Sequence, residues 1–405
     1  MDSRDPVLIM GAGPTGLTCA LVLTELGVPV EIFGKYTAAA AVGCLARTME
    51  LFARYGLADR FLALGDPRDE LAIYADGKQI AQVSLQGGRT EFPHMFLCPQ
   101  TETERVLRDR LAELGVYVQW GWEFSGYDTV ENDYSDPTPS GGVIVRLRNV
   151  EMDFNRPRSK VCRGAYLIGC DGAHSRVRKS IGAAFDGRRI DIKIATGDVE
   201  VDADWPSAGR YVFTIHPDGI VGALRVRGSF CYRIFAAWSK QDPEELTPDA
   251  FASTLYKRLA PEPLRNLRVL STSLFTIQER RASHYTSGDG YVFICGDAAH
   301  VHSPAGGQGL NLGVQDAENL AWKLAMVYLN QADPALLKTY AEERIPVADD
   351  VIVRSHKLFN TTMAGSSMKT FVLKHAAPFF ASAPRKLHRK RFEQAAQLRV
   401  CYPTS

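Results

Sequence analysis

The chain has 405 residues, a formal net charge of +1 and 23% charged residues. That length buries a large core and fits two or three domains, while the near-zero charge argues against broad electrostatic binding to nucleic acid or a membrane surface. The eight cysteines form no Cys-x-x-Cys pair, so neither a zinc site nor a disulfide framework is suggested; the charged opening from Met1 to Pro6 is no signal peptide, no apolar run is long enough to span a bilayer, and a cytoplasmic protein with reduced thiols is the expectation.

Val7 to Met10 reads as a short buried strand, followed at once by Gly11-Ala12-Gly13-Pro14-Thr15-Gly16. Leu17 to Leu26 reads as a helix closed by Gly27, and Val28 to Phe33 as the next strand. This is a βαβ unit with the dinucleotide fingerprint in its proper context. Gly11 permits the tight turn, Gly13 lets a pyrophosphate approach the backbone, and Gly16 lets helix and strand pack closely. The helix N-terminus supplies N–H donors and a favourable dipole. The fingerprint expects an acid at the end of the second strand. Here that strand ends at Gly34-Lys35, and Glu31 lies inside it, either as a ribose ligand or as a partly exposed strand residue.

Ala46 to Gly56 reads as a helix, with Arg47 at its start facing either a cofactor or solvent. Leu71 to Ile80 and Gln82 to Leu85 look like strands with a hairpin turn at Asp76-Gly77. Pro99 to Leu111 is an amphipathic helix, followed by a strand from Val116 to Trp120. Residues 126 to 160 are polar and hold a surface loop around Asp136 to Gly142. Ala165 to Arg178 repeats the opening logic: a buried strand ends in Asp171-Gly172, and a helix carrying Ser175, Arg176 and Arg178 follows.

From 186 to 270 short alternating segments suggest a mainly antiparallel sheet, with a helix within Asp242 to Arg258. Then comes a strand, Tyr291 to Cys295, running into Gly296-Asp297. A loop with Pro304, Gly306, Gly307 and Gly309 follows, and a helix starts near Leu310-Asn311. An acid at a strand end can accept hydrogen bonds from ligand hydroxyls, and the glycines admit a flat or anionic ligand to the backbone. After residue 330 the chain reads as helical, and the basic run Pro384 to Arg391 reads as a solvated helix face.

The stretches Gly11 to Gly16, Cys170 to Arg178 and Gly296 to Asn311 occur in that order. Together they resemble the single-component flavin-dependent aromatic hydroxylases of the p-hydroxybenzoate hydroxylase fold, with the phenol hydroxylase and pentachlorophenol monooxygenase branch most similar. The resemblance covers nearly the whole chain. Gln397 to Tyr402 resembles the point where longer members continue into a thioredoxin-like domain, and this chain stops there. The fold implied is α/β: a Rossmann-like FAD-binding domain with the GxGxxG motif, an inserted mainly antiparallel β-sheet substrate domain, and C-terminal helices. The expected division is 1–73, 99–185 and 271–345 for FAD, 74–98 and 186–270 for the substrate sheet, and 346–405 for the helical end.

The resemblance implies FAD and NADPH as cofactors. Asp297 would serve the ribityl side, and Pro304, Gly307, Gly309, Leu310 and Asn311 would lie against the isoalloxazine. Gly11, Gly13, Pro14, Thr15, Gly16, Lys35, Arg47, Gln100 and Gly296 would contact the cofactor, with Asp171 and Arg178 on the flavin and NADPH side. His300 and His302 read as structural within this motif, and no metal is expected. NADPH would reduce FAD, O2 would add at the flavin C4a, and the hydroperoxide would pass oxygen to an aromatic or polyketide-like molecule. Besides Pro304, the candidates for orienting or deprotonating substrate are His216, Arg225, Tyr232 and Arg233, each with a structural reading beside it. A homodimer is allowed, and nothing in the sequence decides it.

Three positions depart from the family pattern: Gly34 for the ribose acid, Ala40 for an arginine at the flavin-facing loop, and Val42 for the acid five residues before Arg47. They bring in two alternatives: Baeyer–Villiger or epoxidising oxygen insertion on a non-phenolic intermediate, and a non-redox cyclase with flavin structural or absent.

Overall fold

The computed structural model describes residues 4–35, 43–64, 66–68, 70–130, 141–151, 158–201, 210–225, 231–259, 266–304, 306–362, 374–376 and 385–402. Ala40 and Val42 lie outside them.

Val7–Met10 is buried along its whole length, which an apolar strand achieves only in the middle of a covered parallel sheet. It pairs in parallel with Tyr166–Gly169 on one side and Val30–Gly34 on the other. Val292–Ile294 and Gln119–Trp120 complete the five-stranded sheet at its two edges. Helix Pro14–Glu25 is buried without interruption from Gly16 to Leu23. Its sequence is apolar all round, as a helix covered on every side requires, and the helices Gly309–Tyr328 and Gln100–Glu113 both pack on it.

The fingerprint glycines divide their work. A Cβ on Gly11 would stand 2.1 Å from the Cys170 carbonyl oxygen, and one on Gly16 would stand 1.9 Å from that of Gly11. A Cβ on Gly13 would meet nothing within 4 Å. The outer two glycines therefore close the loop onto the sheet, and the middle one borders open space.

An eight-stranded sheet forms the other half. Its order is His300–Val301, Arg268–Ala282, Phe185–Glu200, Cys231–Trp238, Val221–Arg225, Arg210–Ile215, Glu70–Ala75 and Lys78–Ser84. Pairing is antiparallel except between Arg210–Ile215 and Glu70–Ala75. The ladder joining Phe185 to Ala282 runs without a break in sheet membership. The sheet therefore reaches past the expected limits at residues 74 and 270, and through Arg280 and Arg281 it hydrogen-bonds the His300–Val301 strand. One face packs under helix Pro248–Arg258 through Phe251 and Leu255. The other presents Tyr211, Leu224 and Phe235 towards Met95 and Leu97.

The structure moves several element limits. The hairpin strands are Glu70–Ala75 and Lys78–Ser84, because Asp76 and Gly77 adopt φ of 49° and 75°, the left-handed pair that a two-residue hairpin needs. The strand after Gly115 shrinks to Gln119–Trp120, since only those residues find a partner in Val30–Gly34. The polar stretch after residue 126 holds most of a three-stranded antiparallel sheet of Trp122–Val130, Gly142–Asn149 and Ser159–Gly164. Alternation there buries Val143, Val145 and Leu147, a pattern that the charged intervening residues masked. Helix Lys338–Thr362 runs straight through Pro346.

The glycine geometry yields a paired expectation. Gly16→Ala should lower unfolding free energy by at least ~2 kcal/mol, the scale of overpacking a close contact. Gly13→Ala should stay within about 0.5 kcal/mol of the parent, as at an unobstructed position. Urea midpoints of the two variants, compared with the parent, check this.

Candidate active site

The carboxyl ends of the parallel strands converge on one edge, where open α/β sheets bind their ligands. Strand Val292–Ile294 delivers Gly296–Ala298, a single 3-10 turn. Within this turn Gly296 and Ala298 are buried while Asp297 is exposed. The Asp297 carboxylate makes no hydrogen bond or ion pair with any described residue. Surrounding protein mass pushes its pKa up, opposed by the nearby His300 and reinforced by Asp316. Asp297 is thus exposed at the carboxyl edge of the sheet, in surroundings that disfavour its charge.

The turn is held from beneath by a residue that the sequence reading passed over. Asp316 is fully buried in helix Gly309–Tyr328. It accepts from the Gly296 backbone N–H at 3.2 Å, from His300 Nε2 at 2.6 Å and from Arg344 Nε at 2.6 Å. Burial alone would raise its carboxyl pKa; the charges of Arg344 and His300 reverse this and hold it below the usual range. Leu312, Asp316 and Leu320 share one buried stripe at i, i+4 spacing. An acid inside an apolar stripe was the available signal, because an aspartate is almost never buried unpaired.

Thr15, on the first turn of helix Pro14–Glu25, wedges against both Gly296 and Gly313. A Cβ on either glycine would lie 2.6 or 2.4 Å from its Oγ1. Thus the opening fingerprint and the Gly296 turn abut each other.

The loop from Pro304 leads into the N-terminus of helix Gly309–Tyr328. Pro304 and Gly307 are exposed, and Gly306 and Gly307 take φ of 91° and 63°. A Cβ on Gly307 would meet only Met95, at 3.5 Å. The first N–H groups of the helix have no intrahelical acceptors and carry the positive end of its dipole, so Gly309 and Leu310 offer donors to an anionic or carbonyl edge. Asn311 instead clamps the loop. Its Oδ1 accepts from Leu45 N at 2.7 Å, and its Nδ2 donates to the carbonyls of Gly43 and Gly307 at 3.0 and 2.8 Å. His302 turns Nδ1 to the Ser303 carbonyl at 2.8 Å and leaves Nε2 buried without a partner among the described residues. Burial drives its pKa down to about 4, against the pull of that carbonyl.

The remaining expected residues fall into three groups. Ser175 is the N-cap of the helix Arg176–Ser180, and Asp171 accepts from the N–H groups of Arg176 and Val177 at 2.7 and 3.2 Å. Arg178 donates to the Ala298 and Ala173 carbonyls, both at 2.9 Å, and lies 3.7 Å over the Phe185 ring; it ties the Asp171 loop to the Asp297 turn. Lys35, Arg47 and Gln100 are engaged with Glu123 at 3.0 Å, Glu50 at 2.7 Å and Glu104 at 2.8 Å respectively.

The substrate-side candidates are not gathered at the cleft. Tyr232 is in the core beneath helix Pro248–Arg258, and strand alternation puts Arg225 on that same face, with Val221 and Ala223. Arg233 is held by Asp198 at 2.6 Å. His216 sits in a hairpin turn with Asp218 at 3.7 Å, which Lys257 also engages. The face that does reach the glycine loop carries Tyr211, Leu224 and Phe235, joined through Met95. Period-two alternation could have flagged this face, but not which side of the sheet the loop would approach.

The chain matches the family model described as "FAD binding domain" over residues 4–355 and belongs to that family. It is 34% identical over 400 residues to the 6-methylpretetramide 4-monooxygenase of Streptomyces rimosus, covering 95% of this chain and 67% of that one. It is 32% identical to the pentachlorophenol 4-monooxygenase of Sphingobium chlorophenolicum over 88% of this chain and 65% of the relative. The solved structure of the OxyS anhydrotetracycline hydroxylase from Streptomyces rimosus superposes with a TM-score of 0.77 at 28% identity, over 99% of this chain and 78% of that one. The chain is an FAD-dependent monooxygenase of the aromatic hydroxylase type. Its own residues fit the cofactor: Gly13 borders open space, the Asp297 carboxylate has no partner among the described residues, and only Met95, at 3.5 Å, approaches the Cβ position of Gly307. No described helix is long and apolar enough to cross a membrane.

Two outcomes follow. Asp316→Ala strands the buried Arg344 charge and should cost about 3–5 kcal/mol, read as a lowered denaturant midpoint. His302 is held neutral, with its pKa below the ordinary ~6.5. Its contribution to stability is therefore complete above that value and lost as pH falls towards about 4. His302→Gln should flatten the fall in thermal midpoint across that window.

Proposed function

We propose that the chain uses NADPH and O2 to hydroxylate an aromatic ring of a phenolic or polyketide-like small molecule. One oxygen atom enters the substrate as hydroxyl and the other leaves as water, while NADPH and a proton are consumed. The carrying observation is the exposed Asp297 carboxylate at the strand end, together with a glycine loop that meets an apolar cluster through Gly307 and Met95.

FAD, when bound, supplies the electron transfer and oxygen activation that no side chain can. The chain's own groups have the remaining tasks. Asp297, exposed at its turn, would accept a hydrogen bond from a hydroxyl of the bound cofactor. The N–H groups at Gly309 and Leu310, unpaired within the first turn of their helix, would hold the flavin ring edge and stabilise negative charge on it. Met95, Leu97, Leu224 and Phe235 form a surface that favours a flat apolar substrate and excludes water from the reacting centre. Phe235 lies across Gly222, where a Cβ would come within 2.0 Å of its ring, and Phe213 meets it edge-on at 5.3 Å. Such rings complement a substrate ring by offset or edge contact.

The relatives named above act, by their names, on a pretetramide and on pentachlorophenol, which supports an aromatic substrate here. The test is NADPH oxidation by the FAD-loaded protein over a panel of phenols and aromatic polyketides under 18O2. Stimulated oxidation with one labelled oxygen in the product is expected. Conversion without NADPH or O2 consumption would instead assign a non-redox reaction. Asp297→Ala should weaken FAD binding on the order of tenfold or more, the scale of one charged hydrogen bond, with flavin absorbance lost on desalting and the fold retained.

A further inference from the structure

The adenosine end of the cofactor groove is built differently from the fingerprint. Dinucleotide folds place an acid at the end of the second strand to bind ribose hydroxyls. Here the strand Val30–Gly34 ends on a glycine whose register partner across the parallel pair is Trp120. A Cβ on Gly34 would stand 2.6 and 2.7 Å from Cζ3 and Cε3 of the Trp120 ring, and 3.0 Å from the Cβ of Ala12 in the glycine loop. The indole thus occupies the place where the acid's stem would begin. The missing carboxylate and the tryptophan are one arrangement, since neither tolerates the other.

The nearby acids do not replace it. Glu31 accepts from Gln119 Nε2 at 3.0 Å and lies 3.5 Å from Lys160 Nζ. Glu123 is engaged by Lys35 at 3.0 Å, by Arg176 at 3.3 Å and by Arg148. Beside the same strand end Val118, Gln119, Trp120 and Trp122 line an open groove of about 420 Å³. Two of its four lining residues are tryptophans, and it lies at the edge of the parallel sheet, where Trp120 pairs with Gly34.

We infer that this chain reads the adenosine half of FAD by its base, against the Trp120 indole, and leaves the ribose hydroxyls unread. Stacking of a base on an aromatic ring strengthens binding on the order of tenfold, comparable to a carboxylate–hydroxyl pair. Where no described carboxylate is left for a hydroxyl, removing that hydroxyl is expected to cost little. This rests on the FAD-dependent reading of the chain and specifies how its cofactor is selected.

The test is a flavin- and tryptophan-fluorescence titration of the apoprotein with three ligands: FAD, the FAD analogue lacking the adenosine 2′-hydroxyl, and FMN. The expected result is equal Kd values for FAD and the deoxy analogue, within about twofold, and FMN weaker on the order of tenfold or more. Trp120→Ala should erase the preference for FAD over FMN, and Trp120→Phe should keep most of it. Either a tenfold penalty for the deoxy analogue or an unchanged preference in Trp120→Ala would overturn the inference while leaving the flavoenzyme assignment intact. A protein that binds none of the three would overturn both.

Discussion

One buried charge constellation holds the two halves of the molecule in working relation. Asp316 and Arg344 are both fully buried, and two ions are taken out of water only when each satisfies the other. Asp316 then spends its remaining acceptor capacity on the Gly296 N–H and on His300. The backbone turn that presents Asp297 is thereby pinned on both sides. The Asp297 carboxylate can stay without a partner among the described residues because a second carboxylate, that of Asp316, holds the turn.

The same pin reaches the substrate half. His300, bound to Asp316, belongs to the two-residue strand that pairs with Arg280 and Arg281. Those residues end the long Arg268–Ala282 strand of the eight-stranded sheet. A single hydrogen-bonded path therefore runs from the core helix through the Asp297 turn into the sheet that carries the apolar wall. Such continuity sets the spacing between a bound ring system and its substrate, the kind of positioning on which reaction rates depend steeply. Arg178 adds a second tie, bridging the Asp171 loop to the Ala298 carbonyl.

The cleft is not uniform along its length. At the Asp297 end, polar groups remain open and backbone donors point outward from the helix Gly309–Tyr328. At the Gly34 end, the described carboxylates are already engaged and an indole fills the strand terminus. The two ends thus favour different kinds of contact, hydrogen bonding at one and ring packing at the other. A dinucleotide carrying a flavin offers both.

Much of this was legible from residue order. The glycine spacing after Val7–Met10 identified the βαβ unit because only glycine tolerates backbone at 2 Å, as Gly11 and Gly16 show. The Gly296-Asp297 turn and the Pro304–Asn311 loop were likewise set by local chemistry, and their motif order carried the family. What distant packing decides was not legible. Asp316 reads as one more acid in a helix until His300 and Arg344 arrive from elsewhere in the chain. Tyr232 and Arg225 read as candidates until the sheet turns that face towards helix Pro248–Arg258. Cys19, Cys170 and Cys295 are scattered in sequence, yet the fold brings their Sγ atoms within 4.8 Å of one another. The sequence by itself determined the local turns, the strand-ending acids and the class of fold, since these depend on neighbours along the chain. The tertiary structure alone decided which side chains share a cavity and which charges meet, because those distances are set by how sheets and helices stack.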